Sequence, residues 1–147
     1  MTQLYKNILV GIDEGPLSQK ALHQAIQLAK QNQSTLYVVT VLSEEEVTKG
    51  TDEFVATEEF FKLERERAEK LLHEAKEAFT NEGVTGDCYL QFGSAKKLLA
   101  ETLPETWDID LTVIGAPDKH LENYFGIGSV ASYVVRHSKN NVFITKQ

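Results

Sequence analysis

Short apolar runs alternate with longer amphipathic stretches along the chain. The runs Asn7 to Ile12 and Thr35 to Leu42 are almost unbroken in apolar and β-branched residues, as in strands that are buried on both faces. Between them, Leu17 to Lys30 spaces its apolar residues three and four apart, which predicts a helix with one buried stripe. This succession of strand, helix and strand predicts a parallel sheet covered by helices on both faces.

The alternation continues after the second run. The acidic stretch Ser43 to Thr57 has no clear period and is interpreted as a mobile loop. The elements predicted after it are a long helix from about Glu58 to Asn81, strand three at Thr85 to Phe92, a helix opened by Gly93 and Ser94, strand four at Asp110 to Ile114, a helix opened by Gly128 and Ser129, and strand five at Val142 to Thr145.

The pattern also predicts how the strands are ordered. Strand three alternates apolar and polar residues, which suits an edge strand, whereas strands one and two have the composition of central strands. If strands two and four flank strand one, the strand order reverses between strands one and four. Ligands of open parallel sheets bind at the carboxyl ends of the strands beside such a reversal. From the order of these elements we predict an α/β fold with an open, doubly wound parallel sheet of order 3-2-1-4-5. We expect it to form one domain over residues 1–147.

The composition limits which binding partners and which cellular compartment we expect. The 147 residues are 41% hydrophobic, enough for one core, and 15 Lys and Arg against 22 Asp and Glu give a net charge of -7, which disfavours nucleic acid as a partner. The single Cys88 cannot form an internal disulfide, and no apolar run approaches the roughly 20 residues that span a bilayer. We expect a cytoplasmic protein without a membrane segment.

Candidate binding residues lie at the predicted carboxyl ends of the strands. Gly128 and Ser129 open a helix whose unpaired N–H groups, dipole and hydroxyl suit a phosphate. Asp13, directly after strand one, could accept hydrogen bonds from ribose hydroxyls or help to hold a hydrated metal. Taken singly, each has a simpler interpretation, because serine at a helix start is usually a cap and aspartate after a strand is usually a turn residue.

A spaced motif near the end of the chain adds to these residues: Gly115-Ala-Pro-Asp118, nine further residues and then Gly128-Ser129. Other segments accompany it, namely the opening NILVGID, Ser18-Gln-Lys-Ala-Leu22, Thr40-Val41, the helix start at Gly93, Asp110 to Gly115, and the tail Ser129 to Lys146. In this order they resemble the universal stress protein family over nearly the whole chain. The resemblance implies a Rossmann-like fold of the adenine nucleotide alpha hydrolase type, binding of ATP with or without Mg²⁺, and a homodimer paired through the C-terminal strand.

The resemblance also implies which residues contact the nucleotide. Asp13 would face the ribose or a metal, the backbone at Val41 would meet adenine, and Gly115, Gly128 and Ser129 would cradle the phosphates. The predicted nucleotide-binding set is completed by the neighbours Ile12, Asp118, Lys119 and Val130. Asp118 stands where ATP-binding members usually have a second glycine. Its carboxylate adds a negative charge near the expected phosphates, which Lys119 could offset.

Two functions remain open on these grounds. The first is a stress-response regulator in which ATP or AMP orders the loop 116–127. The second is a degenerate member of the family that no longer binds ATP and acts as a protein-interaction module, which Asp118 favours. A flavin or dinucleotide redox protein is disfavoured, because Asp13-Glu-Gly-Pro16 lacks the Gly-x-Gly-x-x-Gly cradle.

Enzyme activity has little support in the sequence. The four histidines have no metal-ligand spacing, and neither a Gly-x-Ser-x-Gly elbow nor a Walker motif is present. We therefore predict no catalytic and no metal-binding residue, and at most slow hydrolysis of ATP.

Overall fold

Strands and helices alternate through the computed structural model, which describes residues 3–42, 54–116 and 129–146, with the backbone alone for 54–57. The strands are β1 (Asn7–Gly11), β2 (Thr35–Leu42), β3 (Thr85–Phe92), β4 (Leu111–Gly115) and β5 (Asn141–Thr145). The helices are α1 (Pro16–Asn32), α2 (Phe54–Asn81), α3 (Ala95–Lys97), α4 (Leu103–Thr106) and α5 (Ser129–His137), with a π-helical turn (Leu98–Thr102) joining α3 to α4.

All four pairs of neighbouring strands are parallel, and the order is β3-β2-β1-β4-β5. At the centre, Val10 of β1 pairs with Val38 of β2 on one side and with Val113 of β4 on the other. The predicted fold class is therefore confirmed, including β3 as an edge strand and the reversal of order between β1 and β4.

Two apolar clusters lie on opposite faces of the sheet, which explains why β1 and β2 lack polar alternation. Ile8, Leu9 and Val10 are all fully buried although successive side chains point to opposite faces. One cluster packs the sheet against α1 and α2 through residues such as Ile26, Ala75 and Phe79. The other packs it against the segment from α3 to α4 and against α5 through residues such as Leu99, Leu103, Ala131 and Val134.

The sequence placed one helix boundary wrongly. Helix α2 begins at Phe54, so the expected loop does not extend to Thr57. The first turn of α2, Phe54 to Thr57, carries no acidic residue, so its start lacks the charge signature by which a helix beginning can be recognised in a sequence. The remainder of the predicted mobile loop, 43–53, lies outside the described residues.

The end of α1 is held by the N-terminal segment of the chain. Gln33 adopts a left-handed conformation with φ of 54° and donates its backbone N–H to the carbonyl of Ala29. The side-chain amide of Gln3 donates to the carbonyls of Asn32 and Gln33, at 3.1 and 3.0 Å. These bonds satisfy carbonyl groups that a helix end otherwise leaves without a partner. Among the helices of the described ranges, none has both the length and the apolar composition for crossing a membrane.

Candidate functional site

The carboxyl ends of β1, β2 and β4 open into a cleft of about 490 Å³, at the reversal of strand order. Sites for small molecules commonly have volumes of roughly 300–1,000 Å³. Helices α1 and α5 begin at the cleft, and the segment from α3 into the π-helical turn forms a further wall. The described residues that line it are Gly11, Ile12, Asp13, Gly15, Pro16, Leu17, Ser18, Val39, Val41, Ala95, Leu99, Ile114, Gly115, Ala116, Ser129, Val130 and Ala131.

A hydrogen-bonded turn places Asp13 at the rim of the cleft. The backbone N–H of Asp13 donates to Ser18 Oγ at 2.6 Å, and the N–H of Gly15 donates to Asp13 Oδ1 at 2.7 Å. Ser18 is buried on α1, so the turn is tied to the core. A carboxylate that accepts a bond from the residue two positions on is typical of an Asx turn. The exposed Asp13 carboxylate is thereby held in a defined position beside the cleft.

The inner part of the cleft is apolar and depends on close approaches at two glycines. A Cβ at Gly11 would lie 3.0 Å from Leu99 Cδ1, and a Cβ at Gly115 would lie 3.2 Å from the carbonyl oxygen of Leu17. The glycines therefore let the π-helical turn and the start of α1 pack directly against the ends of β1 and β4. Val39 and Ile114 add apolar surface to this part of the cleft. Such a surface suits a flat, weakly polar ring.

Two helix starts supply the positive electrostatic end of the site. The first residues of α5, Ser129 to Ala131, line the cleft, as do Pro16 to Ser18 at the start of α1. Neither helix has an acidic residue in its first turn. Because the N-terminal N–H groups of a helix carry partial positive charge, the two starts favour an anion such as a phosphate.

Six of the nine predicted nucleotide-binding residues come together in the cleft. These are Ile12, Asp13, Val41, Gly115, Ser129 and Val130. The other three, Asp118, Lys119 and Gly128, lie outside the described residues. The sequence analysis missed the other eleven lining residues. Ser18, Leu99 and Ala131 are examples, because a helix serine and two core-facing apolar residues carry no distinctive pattern.

Cys88 and His73 are titratable or nucleophilic side chains that lie away from the cleft. Burial raises the pKa of the Cys88 thiol to about 11, so it is protonated at neutral pH and a poor nucleophile. His73 is exposed and lies 2.9 Å from Glu77 on the same face of α2. The described ranges contain no group of three or more His, Cys, Asp or Glu side chains that could hold a metal ion.

Comparison with known proteins gives consistent matches over almost the whole chain. The sequence model of the Universal stress protein family matches residues 4–146. A protein of Staphylococcus aureus (strain USA300) named as a universal stress protein is 32% identical over 143 residues, which cover 97% of this chain and 84% of that protein.

Two solved structures share the architecture. A universal stress protein in complex with cAMP is 26% identical, with a TM-score of 0.72 over 96% of this chain and 97% of its own. A universal stress protein from Archaeoglobus fulgidus in complex with dAMP is 22% identical, with a TM-score of 0.67 over 97% of this chain and 99% of its own.

Proposed function

The chain belongs to the universal stress protein family, and we propose that it is a stress-response regulator that binds an adenine nucleotide in the cleft. The observation that carries the proposal is the combination within one cleft of an apolar inner part, a fixed carboxylate at the rim and two helix starts. These three features match the base, the ribose and the phosphates of a nucleotide. The complexes of two similar proteins with cAMP and dAMP support the same ligand class.

The proposed arrangement assigns each part of the ligand to a wall. Adenine lies against the backbone at Val41 and the apolar surface near Leu99, and Asp13 accepts hydrogen bonds from the ribose hydroxyls. The phosphates lie at the start of α5, where Ser129 offers its hydroxyl and its N–H group. Gly115, Gly128 and Val130 complete the phosphate site in this proposal. ATP, with or without Mg²⁺, and AMP are the ligands to test.

The direct test is isothermal titration of the purified protein with AMP, with ATP and Mg²⁺, and with cAMP. We expect micromolar binding of AMP and ATP. Asp118→Gly should strengthen binding of ATP more than binding of AMP, because removal of a carboxylate favours the ligand with the larger negative charge.

Asp108→Gly is the matched control for that variant. Asp108 is an exposed aspartate in a left-handed conformation, with φ of 52°, and does not line the cleft. The same change of residue type there should leave nucleotide affinity unchanged. Absence of binding by the native protein, with binding restored by Asp118→Gly, would support the degenerate, protein-interacting alternative. Absence of binding by the native protein overturns the proposed nucleotide-binding function whether or not the variant binds.

We further propose that the working form is a homodimer paired through β5. This strand is hydrogen-bonded to β4 and forms the edge of the sheet. Phe143 on β5 is 37% exposed, so this edge strand presents an apolar side chain against which a second copy could pack. An edge strand with apolar side chains is also a template for pairing with another strand.

Phe143→Lys is therefore expected to convert the dimer to a monomer at micromolar concentration, because a lysine charge would be buried without a partner at the interface. Light scattering coupled to gel filtration measures the mass directly. The control is Leu63→Lys, which makes the same kind of change at an exposed leucine on α2 and should leave the dimer intact. A native protein of monomer mass, or a Phe143→Lys variant of dimer mass, contradicts this part of the proposal.

A further inference from the structure

One wall of the cleft is built from two segments that are far apart in the chain. The π-helical turn contributes Leu99, and the first turn of α5 contributes Ser129, Val130 and Ala131. Leu99 and Ala131 are 5% and 1% exposed and belong to the same apolar cluster. The width of the cleft therefore depends on how closely the start of α5 lies to the π-helical turn.

The π-helical turn is itself an unusual piece of backbone. The N–H of Leu103 donates to the carbonyl of Leu98, five residues earlier, so this turn is wider than the α-helical turns on either side of it. Single π-helical turns within α-helices are rare and are frequent at functional sites. Here the turn carries both Leu99, which lines the cleft, and Glu101, which lies on the protein surface.

Glu101 joins this turn to α5 through one hydrogen bond. The hydroxyl of Tyr133 donates to Glu101 Oε1 at 2.8 Å. Tyr133 follows Ser129 by four residues, so the two share a face of α5, and His137 continues that face with its ring centroid 4.1 Å from that of Tyr133. The hydrogen bond to Glu101 also raises the pKa of Tyr133.

We propose that Tyr133 is a positioning residue of the cleft, whose hydrogen bond to Glu101 holds the start of α5 against the π-helical turn. Ser129 and Leu99 then keep a fixed separation before any ligand arrives. A preformed site binds more tightly than one that must be ordered by its ligand. The inference rests on the proposed function for the identity of the ligand, whereas the tie between the two segments is a property of the ligand-free protein.

Hydrogen exchange of the ligand-free protein tests the tie without any nucleotide. Tyr133→Phe keeps the ring and removes only the donor. We expect amide exchange to rise by about two- to tenfold in the π-helical turn and in the part of α5 that follows its first turn, with α1 unchanged. This is the size expected for loss of one hydrogen bond to a charged group near the surface. Glu101→Ala should have the same effect, and Glu101→Gln should have a smaller effect because it retains an acceptor oxygen. The double variant Tyr133→Phe, Glu101→Ala should exchange no faster than either single variant, because each of them already removes the same hydrogen bond.

Tyr89→Phe provides the matched control, since it removes the hydroxyl of a half-buried tyrosine on β3 that does not line the cleft.

Titration of the same variants with AMP measures how loss of the hydrogen bond affects ligand binding. We expect Tyr133→Phe to weaken AMP binding by a similar factor, about two- to tenfold, while the melting temperature stays within about 2 °C of the native value.

The outcomes separate this inference from the proposed function. Unchanged exchange in Tyr133→Phe, or increased exchange with unchanged AMP affinity, overturns the positioning role. A fall in AMP affinity that merely follows a fall in melting temperature also overturns it, because that result describes a general loss of stability. If the native protein binds no AMP but Tyr133→Phe still raises exchange in the two segments, the tie is supported and the proposed function fails.

Discussion

Ala95→Trp is expected to reduce AMP binding by at least about 100-fold, because the indole fills the space that a ligand ring needs in a cleft of this size. Ala95 is the first residue of α3 and lines the cleft. It is half-buried, so the larger side chain can extend into the cleft with little displacement of the core. Isothermal titration gives the loss of affinity, and urea unfolding shows whether the fold is retained, with an expected change in stability below about 1 kcal/mol.

Lys97→Trp is the control for this substitution. Lys97 lies two residues further along α3, is exposed, and does not line the cleft. An added indole there should leave AMP affinity within about twofold of the native value. Native-like binding by Ala95→Trp in a folded protein would place the ligand elsewhere and remove the cleft from consideration.

Gly86→Ala is expected to lower the free energy of unfolding by about 2–3 kcal/mol, the largest effect on stability that we predict for one added methyl group. Gly86 lies on β3 directly opposite Leu36 of β2. A Cβ at this position would be 2.0 Å from the carbonyl oxygen of Leu36, closer than any such pair can approach. The obstacle is backbone of a buried strand, so the variant must separate β2 from β3 locally or shift the edge strand.

Urea unfolding followed by circular dichroism measures this change. Thr85→Ala, at the exposed preceding residue of the same strand, controls for strand propensity and should cost less than about 1 kcal/mol. A Gly86→Ala variant that loses no more stability than this control would show that the two strands can separate freely at this point. It would also mean that the edge strand contributes little to the cooperativity of the sheet.

The fold could be predicted because its strongest signals are local. The unbroken apolar runs of β1 and β2 identify central strands. The predicted bounds of β2 (Thr35–Leu42) and of β3 (Thr85–Phe92) agree with the structure. The π-helical turn could not be foreseen, since the spacing of Leu98, Leu99 and Leu103 fits an α-helix as well. The start of α2 at Phe54 was missed because no apolar period extends through the residues before Glu58.

Some residues of the candidate site could likewise be predicted from the sequence, and others could not. Residues with a turn or cap signature, such as Asp13 and Ser129, could be recognised from their neighbours in the chain. Leu99 could not, because its role depends on a glycine in another element, Gly11, which lets it approach β1. The bond between Glu101 and Tyr133 joins residues 32 positions apart, and no periodic pattern reports such a pair.

The two edges of the sheet present different chemistry to other molecules. On β3, the Asp87 carboxylate accepts the N–H of Cys88 at 2.8 Å and binds Lys76 at 2.9 Å. Part of that edge is thus occupied by a charged side chain, which opposes the docking of another strand. If two copies of this chain pair through β5 as proposed, the charged pair on β3 disfavours the addition of a further copy at the other edge of each sheet. Growth of the sheet beyond two subunits would then be opposed.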